Sequence, residues 1–456
     1  MKRTISLFVS IFIVLSLFTG CAKSTDVQQG NSQGEQNAAA NPEATNAAID
    51  NTNNEEPKEV TVWFDKLFYD QSNEMLHDRV EEFAQQNNIK ANIELIANQD
   101  MYTKWSAAIE SGNYPDVSTF GSQEINQFAE KGLMRDLTDL MNRIEEKNGK
   151  LFENIKKSVN IDGKYYGIPR SANGHTLHYR KDLLEKAGFS EPPQTWEEYR
   201  DMAKAMTDPK NNIYGSGLGY GMKNSDAEWA IRNVLFSYGG ALNDKDGKTV
   251  IVNSQETIDA FRLLADIFFE STPPSAANWD DTGNNKAFLS GQVAMVSNSA
   301  SLYLNVKTDN PELFDKIAIA PLPAGPKGRV ICGSVMTYGI FEGAKNPEIA
   351  EQIIEYIMDK DWYEKWSEGC APLQAPTYQD LANESVWNDV PENNVIINTI
   401  MNSVQLGYPG PLNAKAGEIY NSRLLNACFQ KIITKTESVE DAVKWLEDEL
   451  NKAYAG

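Results

Sequence analysis

Cysteine is scarce in this chain: Cys21, Cys332, Cys370 and Cys428 are the only four in 456 residues, and no two stand at CxxC spacing. That excludes a disulfide-built scaffold and argues against structural zinc. The last three permit either one disulfide plus a thiol or three buried thiols. Histidine is scarcer still, at three. The close pair His175 and His178 has no Cys or Glu at ligand spacing, so no metal is expected there. Positive charge is in deficit, 42 Lys and Arg against 64 Asp and Glu, for a net −22. A chain this acidic offers no basic face for phosphate, which excludes nucleic acid as a partner. GxSxG, HExxH and P-loop motifs are absent, so neither a cofactor nor a catalytic residue is expected. After the first twenty residues no apolar run is long enough to span a bilayer.

What is present begins with a leader. Lys2 and Arg3 precede an apolar stretch at residues 5–18, and Thr19-Gly20-Cys21 follows. Small residues before a cysteine resemble a bacterial lipobox, with Phe18 where Leu is usual. The resemblance implies a signal peptide over 1–20, cleavage before Cys21 and lipid on its thiol. An ordinary secretory leader is the alternative, and both place the mature protein outside the cytoplasm. Residues 21–57 are rich in Asn, Gln, Ala, Ser and acids and bury nothing, so they read as a flexible tether.

The body starts near Lys58. Val60, Val62 and Phe64 alternate with polar or aromatic neighbours as a strand, and helical and strand periods then take turns as far as Gly132. This βαβαβα order predicts a parallel sheet covered by helices, with ligands at the carboxyl ends of its strands. Those ends are Asp65 and the run Phe120-Gly121-Ser122-Gln123-Glu124. Asp162-Gly163-Lys164 reads as a hairpin turn, residues 170–174 as an irregular polar segment, and Leu177 and Tyr179 as a second strand. Thr195 and Glu198 form a capping box, and residues 243–248 (NDKDGK) miss the EF-hand register and read as a hairpin turn.

Several stretches, in order, are similar to one family. They include NYPDV from Asn113, FAEKGL from Phe128, GKYYGIP from Gly163, YRKDL from Tyr179, PPQTWEE from Pro192, GQVAM from Gly291 and KNPE from Lys345. The set resembles the family 1 solute-binding lipoproteins of ABC importers, the group that includes the maltose-binding proteins. The resemblance implies an α/β, two-lobed periplasmic-binding-protein-like fold with a hinge and an interlobe cleft. It implies an N-terminal lobe of 58–168 plus 334–369 and a C-terminal lobe of 169–333 plus 370–456. It also implies a non-enzymatic monomer that captures an oligosaccharide and passes it to a membrane permease. A tethered polysaccharide-degrading enzyme and a ligand sensor on the same fold are the alternatives.

The resemblance places Phe120 at a cleft aromatic, Gln123 and Glu124 at cleft polar positions, and Asn173 at a sugar-contacting position. Asn298 and Ser299 fall near another cleft position. Two aromatic platforms are replaced, by Ser301 and by a polar residue near Ser422. Asp65 is added as a strand end and His175 from its place in the crossover. Trp229, Trp279, Tyr338 and Tyr408 are candidate replacement platforms. Trp229 at helical spacing would equally suit a core. An anionic sugar would need Arg170, Lys223 or Arg232 in the cleft.

Overall fold

The computed structural model describes residues 58–67 and 69–455. The leader, Cys21 and the tether lie outside the described residues. β1 (Lys58–Lys66), β2 (Ile89–Ala97) and β3 (Val117–Gly121) alternate with helices Asp70–Gln86, Asn98–Ser111 and Ser122–Ala129, the order read from the sequence. β1 pairs in parallel with both β2 and β3. Val60, Val62 and Phe64 are fully buried, and Trp63 and Asp65 on the other face are nearly so. A strand covered on both sides is what helices on both faces of a parallel sheet produce.

A small hairpin follows, β4 (Asn160–Ile161) and β5 (Lys164–Tyr165). Its turn residues Asp162 and Gly163 have φ of 52° and 85°, the sign a type I′ turn needs at both centres. β6 (Ile168–Gly174) and β7 (Thr176–Arg180) then belong to different sheets, and the chain crosses between them at His175. β8 (Tyr214–Ser216), β9 (Val293–Asn298) and β10 (Ile317–Ala320) complete the second sheet, in order β10-β7-β9-β8. β11 (Gly333–Gly339) returns to the first, in order β2-β1-β3-β11-β6. β11 runs antiparallel to both β3 and β6.

Residues 170–174 are therefore strand, not the irregular loop the sequence suggests. Their polar side chains conceal the alternation, because Arg170 and Ser171 are themselves fully buried. Pro169 sits where the β6–β11 register shifts, between Met336 and Thr337. The N–H it lacks thus falls at an irregularity in the ladder. The lobe break expected between 168 and 169 falls at the first residue of β6.

Each sheet has a large core of its own, and a third cluster joins Ala172 and Val335 of the first sheet to Val296 and Ile319 of the second. Phe64, Phe120, Phe128, Tyr338 and Trp366 fill the one beneath the first sheet. Trp196, Tyr199, Phe261, Phe429 and Leu446 fill the one beneath the second. Thr195 caps helix Trp196–Met206, its Oγ1 accepting from Glu198 N–H at 3.2 Å. Helix Ala414–Ser422 packs on helix Ser122–Ala129. Gly417 permits that approach, since a Cβ there would stand 2.7 Å from the Gln123 carbonyl oxygen. Cys332, Cys370 and Cys428 are free and buried. Burial pushes the Cys332 and Cys370 thiols up to about 12 and about 11, which makes them inert packing groups. At residues 243–250, Asn243 bridges Val250, and Asp246 accepts from Lys248 and Thr249 N–H as a turn former.

Candidate functional site

A cleft of about 690 Å³ opens at the carboxyl ends of β1 and β3 and takes its other wall from the second lobe. The size suits an organic ligand of a few rings. β1 contributes Asp65, and the start of helix Ser122–Ala129 contributes Gln123 and Glu124. Tyr102 and Trp105 come from helix Asn98–Ser111. The crossing strands add Asn173, His175, Ser334 and Met336. On the facing side stand Ser225, Asp226 and Trp229, at the start of helix Ser225–Tyr238. Asp280, Asp281, Asn298 and Ser299 extend that side, and Tyr420, Asn421 and Arg423 close it.

Local chemistry fixes these groups. Asn224 caps its helix, its Oδ1 accepting from Ala227 N–H at 2.9 Å. Asp281 Oδ1 accepts from the Ser225 N–H at 2.6 Å and from its hydroxyl at 2.7 Å. Asp226 accepts from Asn284 Nδ2 at 2.8 Å and lies 3.4 Å from His175 Nε2. Trp229 and Tyr420 form an aromatic wall, their rings 5.5 Å apart and tilted by 49°. The Arg423 guanidinium covers Tyr420 at 4.4 Å. His178 lies fully buried beneath the site, and burial lowers it to about 4, so it is neutral.

Eight of the residues singled out from the sequence line the cleft: Asp65, Gln123, Glu124, Asn173, His175, Trp229, Asn298 and Ser299. Three do not. Phe120 is fully buried and stacks on Trp105 at 4.8 Å. Strand alternation is the reason: Thr119 and Gly121 face the cleft, so Phe120 faces the helices. Tyr338 is fully buried against Phe64 and Arg170, further down β11 than the cleft-lining Ser334 and Met336. Trp279 is half-buried and braces the loop that presents Asp280 and Asp281, its carbonyl accepting from Asn224 Nδ2. Tyr408 lies against Phe236 instead. Of the three cations considered, only Lys223 reaches the cleft. Arg170 and Arg232 are buried in ion pairs with Asp65 and Glu228.

Sequence reading missed Tyr102, Trp105, Asp226, Asp281, Tyr420 and Arg423. Tyr420 stands two residues before Ser422, near which a polar residue replaces an aromatic platform in the family resemblance. The cap residue Asn224 marks the helix start that carries Asp226, and nothing in the sequence beyond that singles it out.

Glu124 carries the clearest electrostatic signature. Burial lifts it to about 7, against the donors Asn421 Nδ2 and Gly121 N–H that favour its charge. Unfolded, the group ionises near 4.5. Between those pH values the folded chain holds a proton that the unfolded chain has lost. Stability from this group therefore falls as pH rises from 4.5 to 7, and the loss is complete above 7. Glu124→Gln removes the effect. The variant should gain on wild type by up to about 3 kcal/mol between pH 4.5 and 8 in urea unfolding. A pH-independent difference contradicts the assignment.

Among the described residues no cluster of His, Cys, Asp and Glu could hold a metal ion, and no helix is long and apolar enough to cross a membrane.

Residues 59–364 match the family model described as bacterial extracellular solute-binding protein. A protein of Brucella abortus (strain 2308) named as a binding protein is 28% identical over 297 residues, 64% of this chain and 70% of the relative. The maltodextrin-binding protein of Bacillus subtilis (strain 168) is 24% identical over 367 residues, 75% of this chain and 79% of the relative. The solved solute-binding protein of Thermotoga lettingae, bound with alpha-D-tagatose, superposes with a TM-score of 0.78 at 22% identity. That match covers 87% of this chain and 100% of the other. With a family match across most of the folded body and the same two-lobed fold, this chain belongs to the bacterial extracellular solute-binding proteins, which capture solutes outside the cytoplasm for ABC importers.

Proposed function

We propose that this protein captures an oligosaccharide between its lobes and delivers it intact to a membrane permease. The observation that carries the reading is the Trp229–Tyr420 wall set against carboxylates and amides in one cleft. Aromatic faces cover the apolar side of a pyranose ring, and paired polar groups meet its hydroxyls. Relatives named for maltodextrin and maltotriose, and neighbours solved with maltose and laminaribiose, agree with that class.

In this reading Asp65, Gln123, Glu124, Asn173, His175, Trp229, Asn298 and Ser299 contact the ligand. The first lobe carries the first sheet and the helices that cover it, the second lobe carries the second sheet, and closure about the crossing strands encloses the sugar. The chain is monomeric and performs no turnover. Lipid on Cys21 and the tether 21–57 hold it at the outer face of the membrane.

Thermal unfolding against an oligosaccharide panel tests this. A sugar at one hundred times its Kd should stabilise by about 2.7 kcal/mol. Trp229→Ala should weaken the same sugar about 10- to 100-fold, a loss of about 1.4–2.8 kcal/mol. An unchanged affinity in that variant would move the ligand out of this cleft.

A further inference from the structure

We infer that the cleft is built for a saccharide that carries a protonated amine, with the ammonium seated between Asp226 and Asp281. The inference rests on the oligosaccharide reading and narrows it. Both carboxylates line the cleft, and they stand close: Asp281 is tied to Ser225, the residue next to Asp226. Neither forms an ion pair with Lys or Arg among the described residues; the nearest basic group is His175, 3.4 Å from Asp226. Of the cleft's cations, Arg423 acts on Asp281 at a distance, favouring its charge without pairing with it. Lys66, Lys223 and Arg423 line the cleft but pair with no carboxylate among the described residues, and Arg423 lies over Tyr420.

Two further observations point to a donor-rich ligand. Gln123 on the opposite wall is only 7% exposed, and its Oε1 has no hydrogen-bond partner among the described residues. A buried acceptor without a donor is costly until a ligand supplies one. Trp229 stands one turn beyond Asp226 on the same helix face, so an ammonium at the acids also lies beside an aromatic ring. An ammonium brings three donors and one positive charge to this corner. A uronic acid or sugar phosphate brings the wrong sign to it. The pressure between the two acids agrees: burial, and then Asp226, raises Asp281 above its ordinary value.

The test is calorimetric titration of the mature chain at pH 6 with glucosamine oligomers and with glucose oligomers of the same length and linkage. These differ by ammonium against hydroxyl. The expected result is binding at least tenfold tighter for the glucosamine series. In Asp281→Asn, which keeps an acceptor for Ser225, the ratio between the two series should fall below threefold. Asp226→Asn should do the same. Equal or tighter binding of the glucose series, or binding of some other neutral sugar but not of glucosamine oligomers, overturns the amine assignment and leaves the oligosaccharide reading standing. A preference that survives in both variants also overturns it. Binding of no saccharide at all overturns the two together.

Discussion

Asp65→Ala is expected to destabilise the folded chain by about 3–5 kcal/mol, because it strands a buried arginine. Arg170 is fully buried, and its Nη2 donates to both Asp65 oxygens, at 3.0 and 3.2 Å. Its Nε and Nη1 have no partner among the described residues, so Asp65 supplies all its acceptors from side chains. Asp65 is also a cleft residue. Loss of binding in this variant would therefore follow from loss of the cleft floor as well as of a contact. Arg170→Met should be destabilising too, since it leaves the Asp65 carboxylate, only 5% exposed, without its cation. The double variant should recover most of the loss, for an apolar pair replaces a buried ionic one at little net cost. A urea-unfolding cycle over the four proteins measures the coupling. A single-variant loss under about 1 kcal/mol would mean that Arg170 finds other acceptors.

Phe120→Ala should also cost about 3–5 kcal/mol, and through a different mechanism. The ring is fully buried, stacked on Trp105 and edge-on to Phe128 and Phe341. Removing it opens a cavity among three aromatics. Phe120→Leu keeps most of the volume, folds, and should bind ligand as wild type does. Trp229→Ala should lose affinity and, being only partly buried, cost less stability than Phe120→Ala. The pair separates core aromatics from ligand aromatics in one experiment. If Phe120→Leu weakens binding tenfold at unchanged stability, the ring serves the ligand and the alternation argument on β3 fails.

How much of this was legible in the sequence depends on range. The parallel half of the first sheet was, because Val60, Val62 and Phe64 and the helices after each strand repeat within thirty-odd residues. The hairpin at Asp162-Gly163 was, because its turn chemistry is local. β6 was not, because a strand that buries Arg170 and Ser171 shows no apolar face to a pattern reader. Its partner β11 stands more than 150 residues away, at Gly333–Gly339. The same division runs through the cleft. Asp65, Gln123 and Glu124 follow from strand ends in an α/β sheet. Tyr420 and Arg423 do not, for only the return of a C-terminal helix onto Ser122–Ala129 brings them there. Phe120 shows the remaining error: a correct strand end was found, and the wrong face of it was chosen.

The central claim is reversible capture of intact sugar in the Trp229–Tyr420 cleft. Equilibrium titration of the protein with a saccharide panel, followed by chromatography of the recovered sugar, tests it. The expected result is one saturable site per chain for one class of saccharide, with the sugar returned unchanged in length and amount. Shortened or depleted sugar would make the protein an enzyme. Binding confined to peptides or sugar acids would keep the cleft and contradict the substrate class.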